Sequence, residues 1–391
     1  MTSSDLAQEI LVRVRRCLPE GASFPLHEPT FEGNEWIYLK RCLDSGWVST
    51  AGTYVDEFEA RLTAVTGARF AVATVNGTAA LHACLKIAGV RAEDEVIVPA
   101  LTFVATANAV RYCGALPHFA DVAEATLGLD PDRLARHLHS AAEVRDGACY
   151  NRATGRRIHA VVPMHTFGHP VDLEPLGQAC REFRLTLVED AAESLGSRYR
   201  GQHTGTLGLL GALSFNGNKI VTTGGGGAVL TGSPELARAA RHLTTTARVA
   251  AGWEFVHDEV GYNYRMPNLN AALGLAQLER LPDLIRRKRA LAARYRAEFA
   301  GFHGGRVFEP PAWADSNHWL NALLLDGDDA AERDAVLRAL NDNGIGARPA
   351  WRLMHRLAMY RDCPRMDLAV AESLERRVIN LPSSAHLVPA A

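Results

Sequence analysis

The sequence predicts an α/β protein built on a largely parallel sheet, with a smaller α+β unit toward its C-terminal end. Three observations carry this. From Phe70 onward, short apolar runs alternate with helix-length segments, the pattern of strands joined by crossover helices. Polar residues suited to chemistry follow the ends of those runs: Asn76-Gly77-Thr78, Thr102, His165, Asp190 and Lys219. Ligands of such sheets bind beyond the carboxyl ends of the strands. After Gly261-Tyr262-Asn263-Tyr264-Arg265 the alternation gives way to one long helical stretch and a short strand-and-helix set.

Taken in order, Leu6, Ile10, Leu11, Val14 and Leu18 fall at helical spacing over residues 4–18. A Pro- and Gly-containing passage, Pro19 to Gly33, has no clear period. Asn34 is placed to cap a helix bearing Trp36, Leu39, Cys42 and Leu43, and Val55, Phe58, Leu62 and Val65 mark another. These stripes read as packing against a core or a partner subunit. Strands are expected at 70–75, 95–98, 116–119, 159–162, 185–188, 212–215 and 228–230, with helices near 78–88, 103–112, 130–140, 172–183 and 234–245. Leu269, Leu273, Ala276, Leu278 and Leu281 form the apolar side of the long helix, where Pro282 predicts a kink or break. The run Arg286-Arg287-Lys288-Arg289 reads as a solvated helix face. A strand near 319–325 and helices near 329–342 and 367–377 complete the chain. The expected division is an N-terminal helix and arm (1–33), a large domain (34–260), and a linking helix with a small C-terminal domain (261–391).

Composition sets bounds. A chain of 391 residues is long enough for two to three domains, and its charge of -2 gives no reason to expect nucleic acid or an anionic membrane as partner. The N-terminus has no basic segment followed by an apolar run, and no apolar run approaches bilayer length. Seven scattered cysteines without a CxxC spacing read as packed, reduced thiols, so a cytoplasmic location is expected.

The chemistry centres on SFNGNKIVTTGGGG, Ser214 to Gly227. Lys219 sits there in a small, polar, glycine-rich surround. A lysine held in a pocket becomes a nucleophile toward carbonyls when its amine is neutral. Taken alone, the stretch also fits an exposed lysine on a strand-to-strand loop; its context reverses that. Asn76-Gly77-Thr78-Ala79-Ala80 joins a strand to a helix, whose free first-turn amides suit a phosphate. The GxGxxG and P-loop patterns are absent. Asp190, in VEDAAES, ends a strand and could face a cationic nitrogen. Glu193 fits either a capping box or the site, and Phe103 either core or a ligand platform. A lysine, a carboxylate for a ring nitrogen and a phosphate turn are together what pyridoxal 5′-phosphate requires.

The chain resembles the DegT/StrS family of sugar-nucleotide aminotransferases, which adopt the aspartate-aminotransferase-like fold (fold type I). The similar blocks are GNEWIYLKRCLDSGWVSTAGTYVDEFE, ATVNGTAALH, PALTFVATANAV, PMHTFGHP, VEDAAESLGS, SFNGNKIVTTGGGG and GYNYRMPNLNAALGLAQLE, with weaker similarity in SNHWLNA and NLPSS. The fold implied is a large αβα domain on a mixed sheet with a smaller α+β domain. The resemblance makes Lys219 the Schiff-base lysine and Asp190 the partner of the pyridinium nitrogen. It has Phe103 stack on the ring, and Thr78, Ala79 and Ser214 hold the phosphate. Glu193 falls near the ring oxygen, and Asn263 reaches the phosphate from a neighbouring subunit of a homodimer. Ala228 and Gly232 depart from the family pattern without touching this chemistry.

The implied reaction is transfer of an amino group from L-glutamate to a nucleotide-linked 4-keto-6-deoxy-N-acetylhexosamine, with UDP-4-keto-6-deoxy-N-acetylglucosamine the expected acceptor. The blocks look most similar to the branch serving bacillosamine- and legionaminic-acid-type pathways. His165, His318, Trp319, Arg348 and Trp351 are candidate sugar or diphosphate contacts. Two alternatives are a dehydratase of the same fold, where the lysine is typically replaced by histidine, and a cofactor-binding regulator without turnover.

Overall fold

The computed structural model describes residues 2–249 and 252–389. Its centre is a nine-stranded sheet whose main path runs Phe70–Thr74, Gly227–Thr231, Leu210–Ser214, Thr186–Asp190, Arg157–Val161, Glu95–Pro99, Leu116–Ala120. A hairpin, Ala142–Arg145 with Ala148–Asn151, hangs from Arg157–Val161. Only Gly227–Thr231 runs against the rest of this path, pairing antiparallel on both sides; the other four pairings are parallel. The reversal has a simple cause. Parallel neighbours need a crossover, usually a helix. Residues 215–226, which carry Lys219, return directly to the neighbouring position without one.

Strands inside this sheet are covered on both faces. Every residue of Glu95–Pro99 and of Gly227–Thr231 is buried, which is why they read as continuous apolar runs. A four-stranded sheet, Gly305–Val307, Asn321–Leu325, Val378–Leu381 and Arg348–Pro349 in that order, forms the C-terminal part with the helices Ala330–Asp342 and Ala369–Arg377. The N-terminal helix Ser3–Cys17 packs on Ala330–Asp342. Its Ile10 and Val14 share one core with Leu325, Leu340 and Ile379. The first and last elements of the chain are thus one packed body. All seven cysteines are buried and unbridged.

Three local expectations are corrected. The helix Asn268–Glu298 continues through Pro282. The proline costs about 3 kcal/mol. Burial of Leu278, Leu281 and Leu284 around it returns about 2 kcal/mol each and outweighs that cost. The run Arg286–Arg289 is not a solvated face, because Arg287 and Lys288 are buried. Arg287 pairs with Asp283 at 2.8 Å. Lys288 Nζ donates to the Trp319 carbonyl at 3.0 Å and to that of Ser383. Asn34 does not cap with its side chain; its Nδ2 donates to Glu279 Oε2 at 2.8 Å across to the long helix. The helix it precedes leaves Trp36 81% exposed, so that stripe does not pack on this chain's own core.

Burial pushes the Lys288 amine down from 10.5 to about 7. Between those values the unfolded chain binds a proton that the folded chain does not, so stability gains from rising pH. Wild type should therefore gain stability relative to Lys288→Met between about pH 7 and about pH 10. Thermal unfolding of both proteins across that range checks this; a constant difference would mean that Lys288 keeps its proton in the fold.

Candidate active site

The ends of Phe70–Thr74, Thr186–Asp190 and Leu210–Ser214 open into one cavity of about 310 Å³. Asn76, Gly77, Thr78, Phe103, Asp190, Glu193, Ser214 and Lys219 line it from the large sheet, and Trp319 and Trp351 from the C-terminal part. Of the residues singled out in the sequence, these are the ones that the fold brings together.

At one end Asn76 caps the helix Gly77–Ile87, its Oδ1 accepting from Ala79 N–H at 2.8 Å. The amide of Ala79 is therefore engaged in the cap. The amides of Gly77 and Thr78 lie in the first turn, have no intrahelical partner and line the cavity. A Cβ on Gly77 would stand 2.7 Å from Ser214 Cβ. A Cβ on Gly227 would stand 2.5 Å from the Asn76 carbonyl carbon. The glycine run thus seats the turn against the neighbouring strands and does not itself line the cavity. Within the run only Gly224 has a left-handed backbone, at φ +77°.

Asp190 is the last residue of its strand and is buried. Thr106 Oγ1 donates to its Oδ2 at 2.7 Å and Ala192 N–H to its Oδ1 at 3.2 Å. Burial pushes this carboxyl up, against the pull of those donors and of Lys219. A buried carboxylate with only neutral donors on it suits a cationic ligand atom, which would relieve its desolvation.

Lys219 Nζ lies 3.1 Å from Glu193 Oε1 and 3.8 Å from the centre of the Trp319 ring. Glu193 Oε2 accepts from Phe167 N–H at 2.9 Å. Glu193 is therefore a site residue, with no helix at that point to cap. Burial raises it to about 7, the largest influence on it, although the adjacent ammonium opposes. Phe103 is 47% exposed, toward the cavity rather than in the core, and its ring sits 6.1 Å from that of Trp351.

The remaining candidates lie elsewhere. His165 is fully buried and does not line the cavity. Its Nδ1 accepts from Val171 N–H at 3.2 Å, so Nε2 carries the hydrogen and donates to Glu189 Oε2 at 3.0 Å. It has no surface left for a sugar. His318 is also buried, pushed down to about 3 by burial, and packs on His169 away from the cavity. Arg348 is exposed and donates to Asn341 Oδ1 at 2.9 Å and to the Ala347 carbonyl at 2.8 Å. Neither His318 nor Arg348 lines the cavity. Asn263 is exposed and outside its own chain's cavity.

Sequence reasoning missed three residues. Thr106 holds Asp190 but sits inside a helix, where a threonine signals nothing. Glu189 accepts from the amides of Gly205, Leu207 and Gly208 at 2.6–2.7 Å and fixes the loop behind Asp190. Asn317 donates to the carbonyls of Glu193 and Leu195, both at 2.9 Å, and its Oδ1 accepts from Trp319 N–H at 2.8 Å. The block SNHWLNA was the available signal for that last residue.

Free amides at a helix start, a glycine turn that no side chain fits, a buried carboxylate and a reactive amine in one cavity fit a phosphorylated, carbonyl-bearing heterocycle. Residues 30–391 match the DegT/DnrJ/EryC1/StrS aminotransferase family. The chain is 36% identical over 360 residues to GDP-perosamine synthase of Vibrio cholerae, covering 92% of this chain and 93% of the relative. It is 35% identical over 364 residues to the enzyme of the same name from Caulobacter vibrioides, covering 93% of each. Among solved structures, DesI in the presence of its TDP-sugar product superposes with a TM-score of 0.81 at 32% identity, covering 95% of this chain and 91% of that one.

The Gly227 contact is testable. Gly227→Ala should lower stability by about 1–3 kcal/mol, because backbone must move to admit the methyl. Gly225→Ala meets nothing nearer than 3.8 Å and serves as the tolerated control. Urea unfolding of the two variants checks the difference; equal stabilities would remove the close-approach argument.

Proposed function

This chain belongs to the DegT/DnrJ/EryC1/StrS family of pyridoxal 5′-phosphate-dependent sugar aminotransferases, and we propose that it moves an amino group from L-glutamate to the 4-keto group of a nucleotide-linked 6-deoxyhexose. The observation that carries this reading is Lys219, held against Glu193 in the cavity that also contains Asp190 and the first-turn amides.

The cofactor, when bound, supplies an electron sink that lets the donor's α-proton leave. In our assignment the Gly77 and Thr78 amides and the Ser214 hydroxyl hold its phosphate, Phe103 covers its ring, and Glu193 lies near its ring oxygen. Asp190 holds the ring nitrogen protonated, and the Thr106 and Ala192 donors keep that carboxylate charged and oriented. Lys219 Nζ attaches the cofactor. When free of the cofactor, the same amine would be the positioned base that takes the donor's α-proton and the acid that returns a proton, and it would serve the keto sugar in the same two roles in the second half. Trp319 and Trp351 limit water at the cavity.

The nucleotide is a separate proposal. Two relatives matched over more than nine-tenths of their length are named GDP-perosamine synthase, which favours a GDP-linked acceptor. The UDP-linked N-acetylated sugar implied by the block similarity is the second reading. We also propose a homodimer, in which Asn263 of one copy reaches the phosphate of the other. The exposed Trp36, Leu43, Trp47, Trp253 and Phe255 support an apolar contact of that kind. The proposed division at residues 34–260 and 261–391 assigns the cofactor contacts made within one copy to the first part, and Asn263 and the cavity's two tryptophans to the second. No helix among the described residues is long and apolar enough to cross a membrane.

The purified protein should be yellow with pyridoxal 5′-phosphate and bleach with L-glutamate. Recovery of the colour on adding a GDP-linked 4-keto-6-deoxyhexose, faster than with the UDP-linked N-acetyl sugar, is the expected result; the reverse order would reassign the nucleotide. Failure to bleach with L-glutamate would overturn the donor. Lys219→Ala should lose turnover by a factor of about 10² to 10⁴ or more, and near-normal turnover would refute the role given to Lys219.

A further inference from the structure

We propose that the indole face of Trp319 is a catalytic part of the site: it holds the ammonium form of Lys219 whenever that lysine is free, as a partner additional to Glu193. This rests on the assignment of Lys219 as the lysine that attaches the cofactor. The geometry is direct, with Lys219 Nζ 3.8 Å from the ring centre and 3.1 Å from Glu193 Oε1. The residue is held by three hydrogen bonds, one on the ring and two on its backbone. Its Nε1–H donates to the Asn218 carbonyl at 2.7 Å, one residue from Lys219 itself. Its backbone N–H donates to Asn317 Oδ1 at 2.8 Å, and its carbonyl accepts from Lys288 at 3.0 Å. A tryptophan placed only to fill space needs no such anchoring.

The chemistry explains why a π face is useful there. In the reaction proposed above, Lys219 is released and recaptured, and it carries a proton between those events. Its side chain is only 12% exposed, so its charge has little water. Glu193 alone is an uncertain counter-ion, since burial brings it to about 7, where it is partly neutral near neutral pH. A second carboxylate would fix the lysine as an ammonium and stop it acting as a base. An aromatic face attracts the cation more weakly, adds no titrating group and leaves the proton exchangeable. The substrate role considered for Trp319 from sequence is replaced by this one.

The chain has four lysines: Lys40 and Lys86 are exposed, Lys219 and Lys288 are not. Competitive acetylation of the full-length protein without added cofactor, read by mass spectrometry across pH, reports each amine separately, with Lys40 and Lys86 as internal standards. In Trp319→Leu the pH midpoint for labelling Lys219 should fall by about half a unit to one and a half units. Trp319→Phe keeps a π face and should stay nearer wild type. An unchanged midpoint in Trp319→Leu would overturn the proposal, as would equal falls in both variants. Should Trp319→Leu not fold, a midpoint in Trp319→Phe that falls by the full amount would also overturn it. The proposal on function is read independently, by whether wild type with bound cofactor bleaches on L-glutamate.

Discussion

The site depends on how closely two stretches of backbone approach. The turn after Phe70–Thr74 lies so near Gly227 and Ser214 that a Cβ at Gly77 or Gly227 would overlap its neighbours. That contact seats the Gly77 and Thr78 amides against the cavity. It also requires a strand on the turn's far side whose end is glycine, and that strand is the one reversed in the sheet. The loop that makes the reversal carries Lys219. The first-turn amides and the Lys219 side chain are therefore set by one packing constraint.

Two buried carboxyls three residues apart are given different tasks by their surroundings. Asp190 receives two neutral donors, from Thr106 and Ala192, and faces open cavity. Glu193 receives one amide and an ammonium. Burial raises both. In Glu193 it prevails over the ammonium, because solvation lost by a wholly enclosed acid exceeds the attraction of a lysine that keeps some water of its own. Asp190 is thus left facing the cavity with neutral donors only, while Glu193 already has a cation against it.

Much of this was legible because strands buried on both faces leave plain marks: apolar runs such as Glu95–Pro99, each followed by polar residues where the chain leaves the sheet. Thr78, Asp190 and Lys219 all announce themselves that way. Contacts made across the fold left no comparable mark. Arg287 and Lys288 read as solvated because charge ordinarily implies water, yet Lys288 is enclosed where the carbonyls of Trp319 and Ser383 need donors. His165 follows a strand as a ligand would, but it lies in the turn beyond Arg157–Val161, fully buried and bonded to Glu189. Thr106 and Asn317 act through a residue distant in sequence, and nothing local distinguishes them from any threonine in a helix or asparagine in a loop.

The tryptophans of the cavity tie its chemistry to the far end of the molecule. Trp319 lies two residues before the strand Asn321–Leu325, whose Leu325 packs in the same core as the N-terminal helix. Lys288, from the long helix, holds both the Trp319 carbonyl and the Ser383 carbonyl. The backbone around that indole is thus tied through Lys288 and Ser383 to the long helix and to the C-terminal sheet. The C-terminal part of the fold therefore carries two of the side chains that close a cavity whose other walls come from the large sheet.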